Sequence, residues 1–121
     1  MKFLIVFIGA GLGGGLRYWL SNTISKILPI FFPYGTLAVN ILGSIILGIL
    51  IFGFEEKGNL STSLKLFIGV GFCGGLTTFS TFSLETFSLL KNTEFLLAGL
   101  NIFANVIITL LGIYIGYLIT R

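Results

Sequence analysis

Four stretches of this chain carry no charged side chain: residues 3–16, 27–54, 66–84 and 95–120. The last three reach the roughly 20 residues that a helix needs to cross the hydrocarbon core of a bilayer, and the first does so once Arg17 is included. At bilayer depth the backbone must satisfy its own hydrogen bonds, which leaves only helices and closed barrels. A barrel would show segments of about 10 residues with alternating polarity, whereas these windows are continuously apolar. Composition agrees: 55% of the 121 residues are hydrophobic, 9% are charged, and the mean hydropathy is +1.09. The expected fold is an all-α integral membrane protein with four transmembrane helices. It is read as one domain over residues 1–121, with short connections near 21–26, 55–63 and 91–94 and no convincing internal repeat.

A cleaved leader over residues 1–15 is the competing reading of the first window, because Lys2 precedes an apolar run followed by small residues. Hydrophobicity resumes at Tyr18, Trp19 and Leu20, and those aromatics suit a membrane interface. The segment therefore counts as the first helix.

Cytoplasmic loops normally hold an excess of Lys and Arg, and that excess orients a bundle. With four spans, one side of this chain carries Lys2, Lys57, Lys65 and Arg121 and the other Arg17, Lys26 and Lys91. So slight a bias has two readings: a topology set by something else, or insertion in both orientations and assembly as an antiparallel homodimer. Size favours the dimer, since four helices in 121 residues leave little material to surround a selective pore. The net charge of +3 is scattered over loops and helix ends and is no nucleic-acid footprint. Cys73 stands alone and histidine is absent, so no nucleophile, base and orienter can be assembled and enzyme chemistry is not expected.

Polarity inside the windows is concentrated at residues 77–83, Thr-Thr-Phe-Ser-Thr-Phe-Ser, directly after Gly69, Gly71, Gly74 and Gly75. Glycines and then β-branched threonines weaken a helix, so a break near residues 74–78 is predicted. Carbonyls freed there need neighbouring helices, water or a bound cation as partners. The alternative is that these small residues only let helices pack closely. A helix resumed beyond the break would place Phe79, Phe82, Ser83 and Thr86 on one face and Thr77, Ser80, Thr81 and Leu84 on another. A phenyl ring is positive at its edge, so rings set among hydroxyls offer contacts to a small anion without a full positive charge.

Two other windows carry polar stripes: Thr36, Asn40 and Ser44 in the second, and Asn101, Asn105 and Thr109 in the fourth, each at a spacing of four. Such asparagines either clamp helices together or line a path.

The run from Gly74 to Ser83, with Gly35-Thr36-Leu37-Ala38-Val39-Asn40-Ile41-Leu42-Gly43 and the block 9–18, closely resembles the CrcB/Fluc fluoride channels over essentially the whole chain. The resemblance implies a fluoride-selective channel of a microbial plasma membrane, an antiparallel dual-topology homodimer with two pores through which cytoplasmic fluoride leaves passively. By motif position Phe79 and Phe82 correspond to pore phenylalanines and Asn40 to the pore asparagine. Ser80, Thr81 and Ser83 form a hydroxyl track that Thr36 extends, with Asn101, Asn105 and Arg17 as further pore or vestibule residues. The resemblance also implies a structural sodium ion at the dimer interface, held by the backbone carbonyls of Gly74 and Thr77. The fourth helix departs from the family pattern, in which a tyrosine and a serine stand near Asn101 and Asn105. Ala10 and Gly14 exchange small residues in the first block.

Two rivals remain. A small multidrug exporter has similar size and four helices but needs a membrane-embedded carboxylate, and no acidic residue precedes Glu55. A non-conducting assembly subunit would use the polar stripes for association alone.

Overall fold

The computed structural model describes residues 1–121 and is entirely helical. Helix α1 spans Lys2–Ile27 and α2 spans Tyr34–Glu55, closing with a π-helical turn at Ile51–Glu55. The third crossing is two helices: α3 over residues 62–76 and α4 over Phe79–Lys91. Helix α5, Phe95–Thr120, completes four crossings that are each long and apolar enough for a bilayer. The first connection starts later than its composition implied, because α1 runs through Lys26 and stops where Pro29 and Pro33 follow.

The interior is small and partly polar. Only 19 of 121 residues are buried, among them Thr36, Asn40, Thr86, Asn101 and Asn105, while long rows of Leu, Ile and Phe face outward. That distribution is the reverse of a water-soluble core and suits lipid as the surrounding solvent.

Helix α1 lies along α3, and α2 along α5. Both pairings depend on glycine, as expected where lipid supplies no hydrophobic force between helices and close backbone approach must hold them. A Cβ on Gly71 would sit 2.8 Å from the Val6 carbonyl oxygen of α1, and Gly9, Gly13 and Gly75 face equally close backbone across the same seam. Between α2 and α5, a Cβ on Gly48 would lie 2.6 Å from the Ile113 oxygen and one on Gly116 2.7 Å from the Ile45 oxygen. Ahead of the break α3 is π-helical over Lys65–Cys73, a form commonly tied to functional positions, and Gly71 on that segment meets α1.

The loop between α2 and α3 is tied by Lys65 Nζ donating to Glu55 Oε1 at 2.7 Å and Lys57 Nζ donating to the Thr120 carbonyl. Lys65 is exposed and Glu55 only partly buried, so Lys65→Ala should change stability by about 1 kcal/mol at most, read as melting temperature in detergent.

Candidate functional site

The third crossing breaks at two residues. Thr77 (ψ 159°) and Thr78 (φ −150°, ψ 124°) are extended, and the helix resumes at Phe79. The break is narrower than the predicted 74–78, because Gly74–Leu76 still form a helical turn and Gly75 serves the α1 seam. Thr77 consequently lies outside α4 and does not share a helical face with Ser80, Thr81 and Leu84.

Several backbone groups freed by the break find new partners. The Thr78 N–H would have donated to Gly74; it donates instead to Asn40 Oδ1 at 2.8 Å, while Asn40 Nδ2 donates to the Thr78 carbonyl at 3.3 Å. The Gly75 carbonyl, deprived of the Phe79 amide, accepts from Arg17 Nε at 2.9 Å. Thr78 caps α4, its hydroxyl accepting from the Thr81 N–H at 3.1 Å. Thr77 donates its hydroxyl to Cys73 at 2.9 Å. The carbonyls of Gly74 and Thr77 have lost the amides that would have bonded them, since the Thr78 and Thr81 N–H groups point elsewhere. Nothing lies within 4 Å of the Cβ position at Gly74.

Beside the break opens a cavity of about 550 Å³ whose wall includes Asn40, Thr77, Thr78, Phe79, Phe82 and Asn105. The two rings are neighbours, with centroids 5.4 Å apart and planes inclined by 51°. Phe79 is 78% exposed on the single chain, so its ring forms an open rim of the cavity. Gly74, Ser44 and Thr109 also reach this wall. The hydroxyls of Ser44 and Thr109 donate back to the carbonyls of Asn40 and Asn105 one turn earlier, so each must rotate before it can donate to an ion.

The remaining predicted residues lie elsewhere. Thr36 is buried in α2, Ser80 and Ser83 are exposed on α4, and Thr81 bonds Thr78, none of them on this cavity wall. Arg17 is committed to the break through Gly75. Asn101 is 1% exposed, donating to Thr86 Oγ1 at 2.9 Å and accepting from Asn105 Nδ2 at 3.0 Å. Thr78, which the sequence reading left unassigned, proves central; its signal was its place between the glycine cluster and Phe79. Glu85 borders a separate cavity of about 340 Å³ between α4 and residues 28–35.

Residues 4–117 match the family model described as CrcB-like protein, Camphor Resistance. The chain belongs to the CrcB-like family. Among relatives of this CrcB-like protein, one from Pyrococcus abyssi is 48% identical over 98% of this chain and 94% of its own length. One from Pyrococcus furiosus is 49% identical over 97% and 94%. A third, from Coxiella burnetii, is 42% identical over 100% and 98%. All three are named fluoride-specific ion channel FluC. The four crossings of this CrcB-like protein are those of a multi-pass membrane protein.

Proposed function

We propose that this chain is a fluoride channel, carrying fluoride passively out of a microbial cell across its plasma membrane. The reading rests on one conjunction: full-length relatives named for fluoride, and a polar cavity that gathers Phe79, Phe82 and Asn40 beside a helix break. Fluoride is small and strongly hydrated, so its water must be replaced by closely spaced donors. The Asn40 amide, ring edges and rotatable hydroxyls supply them. No Lys or Arg lines the cavity. Weak neutral sites let an ion leave as readily as it enters, where a fixed charge would hold it. Ser80, Thr81, Ser83 and Thr36 extend the track beyond the cavity. The exporter reading is disfavoured by the same relatives.

The working unit is an antiparallel homodimer with two pores. Supporting this, the exposed ring of Phe79 and the open space at Gly74 leave the cavity unfinished on the side away from the bundle. With Arg17 drawn into the break, the loop bias is four basic residues against two (Lys2, Lys57, Lys65 and Arg121 against Lys26 and Lys91), still a small excess. The Gly74 and Thr77 carbonyls fit a sodium ion, because neutral oxygens suit a hard cation and these two lack their helical donors. Bound there, the ion would satisfy backbone that hydrocarbon cannot.

Liposomes holding only the purified protein should release fluoride and not chloride, and Phe79→Ile should slow release at least about tenfold, as expected when a ring contact to the ion is lost. Fluoride release no faster than from protein-free vesicles would sink the channel reading. Crosslinks that join only parallel copies would remove the antiparallel dimer, and undiminished stability and flux without sodium would remove the cation.

A further inference from the structure

The amides of this bundle form one directed chain. The Thr78 N–H donates to Asn40 Oδ1 at 2.8 Å, and Asn40 Nδ2 donates to Asn105 Oδ1 at 2.9 Å. Asn105 Nδ2 donates to Asn101 Oδ1 at 3.0 Å, Asn101 Nδ2 to Thr86 Oγ1 at 2.9 Å, and the Thr86 hydroxyl to the Phe82 carbonyl at 2.8 Å. Five hydrogen bonds thus cross α2, α5 and α4 and return to the backbone between the two pore phenylalanines and the rest of α4.

The direction does not depend on how any amide was oriented. Two backbone groups, each able to act in one sense only, impose it independently at the head and in the middle, and the tail follows from them. At the head a peptide N–H can only donate, so Asn40 must turn its oxygen to Thr78. In the middle the Asn101 backbone carbonyl can only accept, and it lies 3.0 Å from Asn105 Nδ2, so Asn105 must turn its nitrogen inward and its oxygen to Asn40. At the tail the Thr86 hydroxyl, which can act in either sense, completes the chain by giving its hydrogen to the Phe82 carbonyl and its oxygen to Asn101. The demands at the head and in the middle agree, and reversing Asn40, Asn105 or Asn101 would set donor against donor or oxygen against oxygen at one contact or more.

On this basis, and resting on the channel reading above, we propose that Asn101, Asn105 and Thr86 are positioning residues that hold the Asn40 amide from behind and strengthen the hydrogen it offers the ion. They are not ion contacts themselves. Both Asn105 hydrogens are spent on Asn101, and its oxygen accepts from Asn40. Of the two Asn40 hydrogens, one is held by Asn105 at 2.9 Å. The other reaches the Thr78 carbonyl at only 3.3 Å, long for an N–H···O bond, and it is the hydrogen an anion in the cavity can take. Chained bonds of one direction polarise one another in a low-dielectric interior, so the relay makes that hydrogen a better donor than a lone amide would be.

The test measures Asn40 itself. In protein labelled at its asparagine side-chain amides, Thr86→Val, three hydrogen bonds away from Asn40 and matched in shape, should shift the Asn40 amide resonance and slow fluoride release by about tenfold, in the range expected when a buried partner is lost. Thr86→Ser, which keeps the hydroxyl, should recover the wild-type resonance and most of the flux. Asn101→Leu should reproduce Thr86→Val. If folding of the leucine variant fails, Asn101→Asp decides: below its pKa the carboxylic acid supplies the same donor and acceptor, so the Asn40 resonance should be wild-type at low pH and shifted at high pH. An Asn40 resonance unmoved by Thr86→Val overturns the relay. So does a Thr86→Ser variant no better than Thr86→Val. A wild-type protein that releases no fluoride would remove the channel reading while leaving the resonance experiment able to judge the relay.

Discussion

Asn40→Leu is expected to reduce fluoride release to the level of protein-free vesicles and to lower the melting temperature in detergent. Leucine keeps the branching of asparagine, with bulkier methyl groups, but offers nothing to the Thr78 N–H, which is left buried without its 2.8 Å partner. Such a group costs about 1–3 kcal/mol, and the same substitution strips the Thr78 carbonyl and Asn105 Oδ1 of their donor. The break then has no reason to hold its shape, and the cavity loses its central donor. Asn40→Asp separates the two roles. An oxygen still accepts from Thr78, so stability recovers in part, but the second oxygen now opposes Asn105 Oδ1 and the hydrogen meant for the ion is gone. Stability measured by thermal melting should therefore rank wild type, Asp, Leu, while fluoride flux ranks wild type far above both. Asn40→Leu conducting at half the wild-type rate would overturn this account.

Gly13→Ala is expected to be the most damaging single methyl group in the chain. The added Cβ would lie 2.8 Å from the Leu76 amide nitrogen and closer still to the Phe72 carbonyl oxygen, both backbone atoms that cannot swing aside. Overpacking of this kind costs about 1–3 kcal/mol when side chains can adjust, and the upper end applies where they cannot. Its consequence reaches the site, because α1 carries Arg17, whose bond to Gly75 supports the break. Separating α1 from α3 should abolish fluoride release as well as lower the melting temperature. Gly11→Ala and Gly99→Ala are the controls: nothing stands within 4 Å of either Cβ, and the better helix propensity of alanine gives about 1 kcal/mol at most in the stabilising direction. Equal melting temperatures for Gly13→Ala and Gly11→Ala would refute the backbone contact.

How much of this was legible in the residues differs from element to element. The four crossings were, because an apolar stretch long enough to span hydrocarbon has almost no other stable form. The break was legible in place but not in cause. Glycines at 74 and 75 looked like its weak point, yet Gly75 is small because α1 passes against it, and the chain leaves the helix at Thr77 and Thr78. The π-helical stretch before it left no trace, since a continuously apolar run has no periodicity from which to tell one helical hydrogen-bond pattern from another.

The asparagines show the sharper limit. A spacing of four put Asn40 and Ser44 on one face of α2, and Asn101 and Asn105 on one face of α5, and both placements agree with the backbone bonds of Ser44 and Thr109 to residues one turn earlier. Spacing could not say whether an amide clamps or conducts, because that depends on which partner occupies each of its hydrogens. Asn40 and Thr78 are 38 residues apart in the chain, and Asn40 and Asn105 are 65 apart. The residues alone therefore determined the solvent, the number of crossings, the family and the neighbourhood of the site, all of which follow from local composition and short motifs. Only the tertiary structure decided which carbonyls of the break are satisfied, which hydroxyls and amides have hydrogens left to give, and in which direction the bonds between them run, because those are set by contacts between helices that meet in space and not in sequence.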